Sequence, residues 1–143
     1  MRRVLYFIVM LGMVMTAHAG QPLVSVDDAR MRWLPGDLPM AGYFVITSHA
    51  PGTLRLLGAA SPAFGDVMVH RSLEEGGVAR MVHVDGVDLI PGVSVTFAPG
   101  GYHLMLMGRA QELHVGEEVP VTLRFNDDQT LVVNFRVTGA QDE

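Results

Sequence analysis

Two residue types are missing from this sequence of 143 residues, which contains no cysteine and no lysine. Without cysteine there are no disulfides and no thiolate ligands, which excludes a blue-copper electron-transfer site and leaves histidine and methionine as the soft metal ligands. Without lysine, ten arginine residues stand against fifteen acidic residues, a net charge of −5. An acidic chain with no basic cluster argues against binding to nucleic acid or to anionic membranes, because both require clustered positive charge.

The N-terminal segment has the pattern of a cleaved signal peptide. Two arginines precede an apolar run from Val4 to Met15, and Ala17-His18-Ala19 supplies the small residues that signal peptidase recognises. The run is shorter than the roughly 20 residues that cross a bilayer, so an uncleaved anchor is the weaker alternative, and no cysteine follows it to carry a lipid. We therefore expect a signal peptide at 1–19 and one periplasmic domain at 20–143, without stable membrane insertion after cleavage. That domain would carry eight arginines against fifteen acidic residues, a net charge of −7.

The rest of the chain has the pattern of an all-β protein. Short segments rich in β-branched and aromatic residues alternate with turns of Gly, Pro, Asn and Asp, and no segment sustains helical periodicity. The candidate strands are Leu23–Arg32, Ala41–Thr47, Thr53–Ala59, Val67–Leu73, Val78–Val84, Val93–Ala98, Tyr102–Met107, Val119–Phe125 and Leu131–Val137. Many short strands at this spacing predict a single antiparallel β-sandwich or β-barrel domain.

A first hairpin places histidine and methionine on one face of the predicted sheet. A four-residue loop over 74–77 predicts that His70 lies opposite Met81 and that Met68 lies opposite His83. Side chains alternate along a strand, so all four residues fall on the same face.

A second hairpin turns at the Pro-Gly-Gly sequence of 99–101. On the strand that follows, His103, Met105 and Met107 share one face, while Tyr102 and two leucines share the other. The aliphatic face is the natural core side. We therefore expect the histidine and methionine face to be the less buried one, as an exchangeable metal site requires.

Two imidazoles and two thioethers form the candidate metal site, from His70, Met81, His103 and Met105. This donor set suits Cu(I), whereas zinc prefers thiolate, more histidine or carboxylate, and calcium requires oxygen ligands. Taken singly, each methionine is better explained as core filler and each histidine as a surface residue. The combination on two hairpins favours a metal site. No nucleophile elbow surrounds any serine, so we expect no enzyme and predict that copper is carried rather than used in catalysis.

The spacing His70-x10-Met81-x21-His103-x-Met105 resembles the signature of the periplasmic copper-A chaperone family (PCuAC). The sequence is also similar to that family in MAGYFVIT at 40–47, GGYHLMLM at 100–107 and VPVTLRF at 119–125. The likeness covers nearly all of the chain after residue 19. It implies a cupredoxin-like β-barrel that binds one Cu(I) near its surface through these four residues.

Family members deliver copper to the CuA centre of cytochrome c oxidase subunit II, often alongside Sco-type proteins, and the resemblance implies these partners for a monomeric carrier. The chain departs from the family at Ala79, where many relatives have methionine, and at Ser48, where many have asparagine. It also lacks the His- and Met-rich C-terminal tail that gives some members a Cu(II) site, so we expect no second copper site.

Two alternatives stay open from the sequence. One is a general periplasmic copper buffering or tolerance protein, which would use the same ligands. The other is a β-sandwich protein-binding module in which the histidines and methionines are incidental. Met68, His83 and Met107 are candidate neighbours of the metal that could contact a docking partner.

Overall fold

The computed structural model describes residues 22–140, so the expected signal peptide at 1–19 lies outside the described residues. No helix in the described range is long and apolar enough to cross a membrane. Residues 22–140 form ten strands: β1 Val24–Arg32, β2 Met40–Ser48, β3 Leu54–Ala60, β4 Phe64–Glu75, β5 Val78–His83, β6 Val87–Leu89, β7 Ser94–Phe97, β8 Tyr102–Arg109, β9 Glu118–Phe125 and β10 Thr130–Thr138. All nine predicted strands are present, and β6 is the strand that the sequence pattern did not predict.

The strands form one hydrogen-bonded sheet in the order β5-β4-β8-β7-β2-β1-β10-β9-β3-β6, and β8 also pairs with β2. The pairings are antiparallel except for β1 with β10 and β7 with β8, which run parallel. The sheet is strongly curved. Its curvature brings the ring of Phe44 on β2 against that of Phe135 on β10, with ring centroids 5.6 Å apart, although β1 lies between these strands. The prediction of a single all-β domain is confirmed.

Alternation along β8 separates the core from the candidate site. Leu104 and Leu106 are fully buried in the hydrophobic core, at 0% and 1% exposure, and burying a leucine stabilises the fold by roughly 1.5–3 kcal/mol. Because successive side chains of a strand point to opposite faces, His103 and Met105 must lie on the other face of β8. Packing of the leucines therefore fixes the direction of both candidate ligands.

The hairpin between β4 and β5 turns on two residues, Gly76 and Gly77, with φ of 60° and 78°. Positive φ at both central positions is characteristic of a type I′ turn, which suits glycine because it has no Cβ. The four-residue loop predicted from the sequence is therefore wrong. The pairing moves by two residues, so that His70 lies opposite His83 and Ser72 lies opposite Met81.

Candidate metal centre

Three histidines lie side by side across three neighbouring strands. His70 on β4 pairs with His83 on β5 on one side and with His103 on β8 on the other. The ring centroids are 5.8 Å apart for His70 and His83 and 6.0 Å apart for His70 and His103, and both contacts are edge to face. We call these residues the histidine row. Two of the four predicted ligands, His70 and His103, are therefore direct neighbours.

The two predicted methionine ligands flank the histidine row on opposite sides. Met105 lies two residues beyond His103 on β8, where it pairs with Met68 of β4. Met81 lies two residues from His83 on the side of the hairpin turn, and it pairs with Ser72. The predictions that Met81 faces His70 and that Met68 faces His83 are wrong, because the shorter turn shifts the register. A shift of two residues keeps every side chain on its face, so the predicted common face survives.

Small residues between Met81 and β8 leave room for its side chain to reach the centre. Ser72 is followed across the sheet by Gly101, whose carbonyl accepts a 3.0 Å hydrogen bond from the Ser72 amide. An open cavity of about 200 Å³ forms here, and Met81, His103 and Met105 all line it. Met81 itself is 64% exposed. Three of the predicted ligands thus share one cavity, and His70 adjoins it through His103.

The far wall of the cavity comes from segments to which the sequence pattern assigned no role at the site. Arg32 at the end of β1, and Met40 and Tyr43 on β2, line it together with prolines at 39 and 99. The string at 40–47 indicated the family but carried no metal-binding residue type in a recognisable spacing. Pairing of β2 with β8 is the tertiary contact that brings it here.

His103 lines this cavity and has one ring nitrogen without a hydrogen-bond partner. It is 5% exposed, and its Nδ1 lies 3.2 Å from the carbonyl oxygen of Gly101. Because a carbonyl oxygen can only accept, this contact assigns the hydrogen of a neutral imidazole to Nδ1 and its lone pair to Nε2. Nε2 is buried without a hydrogen-bond partner, an arrangement that costs about 1–3 kcal/mol. A metal-binding histidine typically shows this arrangement, with the other ring nitrogen anchored to the backbone.

The burial of His103 corrects the expectation that this whole face is the less buried one. Met105 and Met107 are half-buried and Met81 is exposed, but His103 is buried. An ion held here would therefore meet a buried imidazole on its inner side and exposed thioether on its outer side.

His70 is held in the neutral form that a metal ion requires. Burial, with smaller contributions from the nearby imidazoles of His103 and His83, lowers the pKa of His70 below its ordinary value of 6.5. Its Nδ1 is also buried without a hydrogen-bond partner. Protons therefore compete less with a metal for this imidazole than for a free histidine.

The thioethers of the methionines decide which metal ion this site suits. Among residues 22–140, no three side chains of His, Asp or Glu are grouped closely enough to hold a metal ion. Zinc and calcium sites are built from such groups, whereas the cavity combines imidazole with thioether. The residues present therefore fit a soft monovalent ion, as the sequence predicted.

Comparison with known proteins shows which family the chain belongs to. The LpqE-like family, described as "Putative lipoprotein LpqE-like", matches residues 24–137. An uncharacterized protein of Rickettsia prowazekii is 33% identical over 100 residues, which cover 69% of this chain and 55% of that protein. A Leifsonia xyli protein named as a lipoprotein is 34% identical over 91 residues, 63% of this chain and 55% of that protein. The chain thus spans about half the length of the curated relatives it matches.

Two solved structures extend the comparison. The solution structure of Cu(I)-bound DR1885 from Deinococcus radiodurans has a TM-score of 0.68 at 30% identity, covering 88% of this chain and 84% of that one. The copper-bound PCuAC domain of PmoF2 has a TM-score of 0.69 at 24% identity, covering 82% and 94%, and at this identity it supports the fold alone. The family expected from the sequence is confirmed: this chain belongs to the LpqE-like family and has the fold of a PCuAC domain.

Proposed function

We propose that this protein is an extracytoplasmic copper carrier that holds one Cu(I) between His70, Met81, His103 and Met105. The observation that supports it best is the buried, unpartnered Nε2 of His103, a residue that lines one cavity together with both methionines. An unsatisfied polar atom in a folded core needs an explanation, and a soft cation supplies one here. The Cu(I) form of the similar Deinococcus radiodurans protein supports the same ion.

The neutral donors hold the ion without locking it in place. All four donors are neutral, so bound Cu(I) keeps its positive charge, and the net charge of −5 on the chain attracts it at long range. Met81 is largely exposed on β5, the end strand of the sheet order. An incoming thiolate of a partner can therefore displace this thioether first, while His103 still holds the ion from below.

The recipient that we propose is the CuA site of cytochrome c oxidase subunit II, with a Sco-type protein as a further partner, and the carrier acts as a monomer in the periplasm. The resemblance to the PCuAC family supports this choice. The test is oxidase activity in a strain that lacks the protein. Loss of activity under copper limitation, and not under copper excess, supports delivery. Unchanged activity under limitation, combined with increased copper sensitivity, supports general copper buffering instead.

Binding itself is tested by anaerobic competition with a chromophoric Cu(I) chelator. We expect one Cu(I) per chain, and a loss of affinity of at least about tenfold on His103→Ala or Met105→Ala. Met107→Ala is the matched control, because Met107 is a half-buried methionine on the same face of β8 but does not line the cavity. Its affinity should stay at the wild-type level. No Cu(I) uptake by the wild-type protein would refute the proposal and favour an incidental set of histidines and methionines.

A further inference from the structure

The two-residue turn gives His70 a second imidazole neighbour, which is not one of the four proposed ligands. His83 lies directly opposite His70, with ring centroids 5.8 Å apart. Its side chain is 55% exposed, on the end strand of the sheet order. On its outer side, Nε2 of His83 lies 3.4 Å from a carboxylate oxygen of Asp85, which is itself 94% exposed.

The donors on this outer side differ in kind from those of the cavity. The cavity offers thioethers, which are soft ligands, whereas His70, His83 and Asp85 offer imidazole nitrogen and carboxylate oxygen. Nitrogen and oxygen donors favour Cu(II), and thioethers favour Cu(I). The three outer groups do not converge as placed. Exposed side chains change rotamer within nanoseconds, however, so His83 and Asp85 are both free to turn towards an ion bound at His70.

We propose that His70 and His83, with Asp85, form an outer position that binds Cu(II), distinct from the inner Cu(I) position at His103. This inference rests on the proposed copper carriage. A neutral imidazole has one lone pair, because its other nitrogen bears hydrogen. His70 therefore holds one ion at a time, and the two positions exclude each other. An ion bound as Cu(II) therefore lies close to solvent, and an ion bound as Cu(I) lies above His103.

The test compares affinities for the two oxidation states in the same variants of the full chain. Copper(II) sulfate is added without reductant, binding is measured by competition with a Cu(II) chelator, and nitrogen couplings are counted by electron paramagnetic resonance. We expect His83→Ala to weaken Cu(II) binding at least about tenfold and to remove one nitrogen coupling, with Cu(I) affinity unchanged. Met105→Ala should weaken Cu(I) binding and leave Cu(II) binding unchanged.

His114→Ala is the matched control. His114 is also exposed, and its ring lies 3.4 Å from a carboxylate oxygen of Glu117, but it lies outside the histidine row. The inference is overturned if His83→Ala retains wild-type Cu(II) affinity, or if His114→Ala causes an equal loss. It is also overturned if His83→Ala weakens Cu(I) as much as Cu(II), since His83 would then belong to the inner site. Failure of the carrier function itself would show as absence of Cu(I) uptake in the wild-type protein.

Discussion

Replacement of His103 by phenylalanine should stabilise the metal-free protein. In the wild-type chain the buried Nε2 has no partner, a penalty of about 1–3 kcal/mol that phenylalanine removes. The substitution also loses the 3.2 Å hydrogen bond from Nδ1 to Gly101, which is worth about 0.5–1.5 kcal/mol. The carbonyl of Gly101 is not left unsatisfied, because it still accepts from the Ser72 amide at 3.0 Å. The balance is a gain of about 1 kcal/mol in the free energy of unfolding.

Thermal unfolding of the metal-free protein measures this gain. For a domain of this size, 1 kcal/mol corresponds to a rise in Tm of about 4 °C. Saturating Cu(I) should reverse the order of the two proteins. At a free concentration one hundred times the wild-type Kd, Cu(I) stabilises the wild-type protein by about 2.7 kcal/mol, and a variant of at least tenfold lower affinity by no more than about 1.4 kcal/mol. His114→Phe, at an exposed position, should change stability by less than about 0.5 kcal/mol.

The result that refutes this reasoning is a metal-free protein that becomes less stable on losing the imidazole. Phenylalanine is slightly larger than histidine, and overpacking alone can cost about 1–3 kcal/mol. His103→Leu therefore serves as a second variant without that strain. If both variants unfold below the wild-type temperature, Nε2 is not an unsatisfied atom in solution, and the main support for a metal at this position is lost.

The same face of the sheet supports three further predictions. Ser72→Leu should fill the space over which Met81 reaches the centre and weaken Cu(I) binding at least about tenfold in the chelator competition, whereas Ser72→Ala should not. Gly77→Ala, at φ of 78°, should cost about 1–2 kcal/mol in urea unfolding because an L-residue is strained there, and an equal loss on Gly52→Ala would contradict this cause. The pKa of His70 is lowered from 6.5, so protons prefer the unfolded state and stability should fall as the pH drops below 6.5. His70→Gln should flatten that pH dependence, and an unchanged slope would exclude His70 as its source.

The strands and their faces were predictable because side chains alternate with a period of two. Leu104 and Leu106 are buried as the pattern on β8 predicts, and the candidate ligands fall on the opposite face. The missed strand β6 has three residues, in which buried Val87 and Leu89 flank exposed Asp88. An alternation of three residues is shorter than the four to eight residues that such a pattern needs to be recognised.

The pairing across the first hairpin was not predicted, although the sequence contains a signal for it. A Gly-Gly dipeptide between two strands favours a two-residue turn, and that turn sets Glu75 opposite Val78 and His70 opposite His83. The approach of β2 to the cavity, in contrast to the hairpin register, has no signal in the local sequence. It depends on contacts between residues far apart in the sequence, and no local pattern carries that information.

The correct register explains the spacing of the four proposed ligands. With a two-residue turn, His70 faces the residue thirteen positions later in the sequence, His83. A methionine at position 81 therefore lies two residues nearer the turn, which is the next position on the same face. On β8 the methionine two residues after His103 lies one step on the other side, opposite Met68. The spacings x10 and x therefore place one thioether on each side of the histidine row, not directly across from a histidine. The position directly across from Met81 is thereby left to a small residue, Ser72, and the cavity opens there.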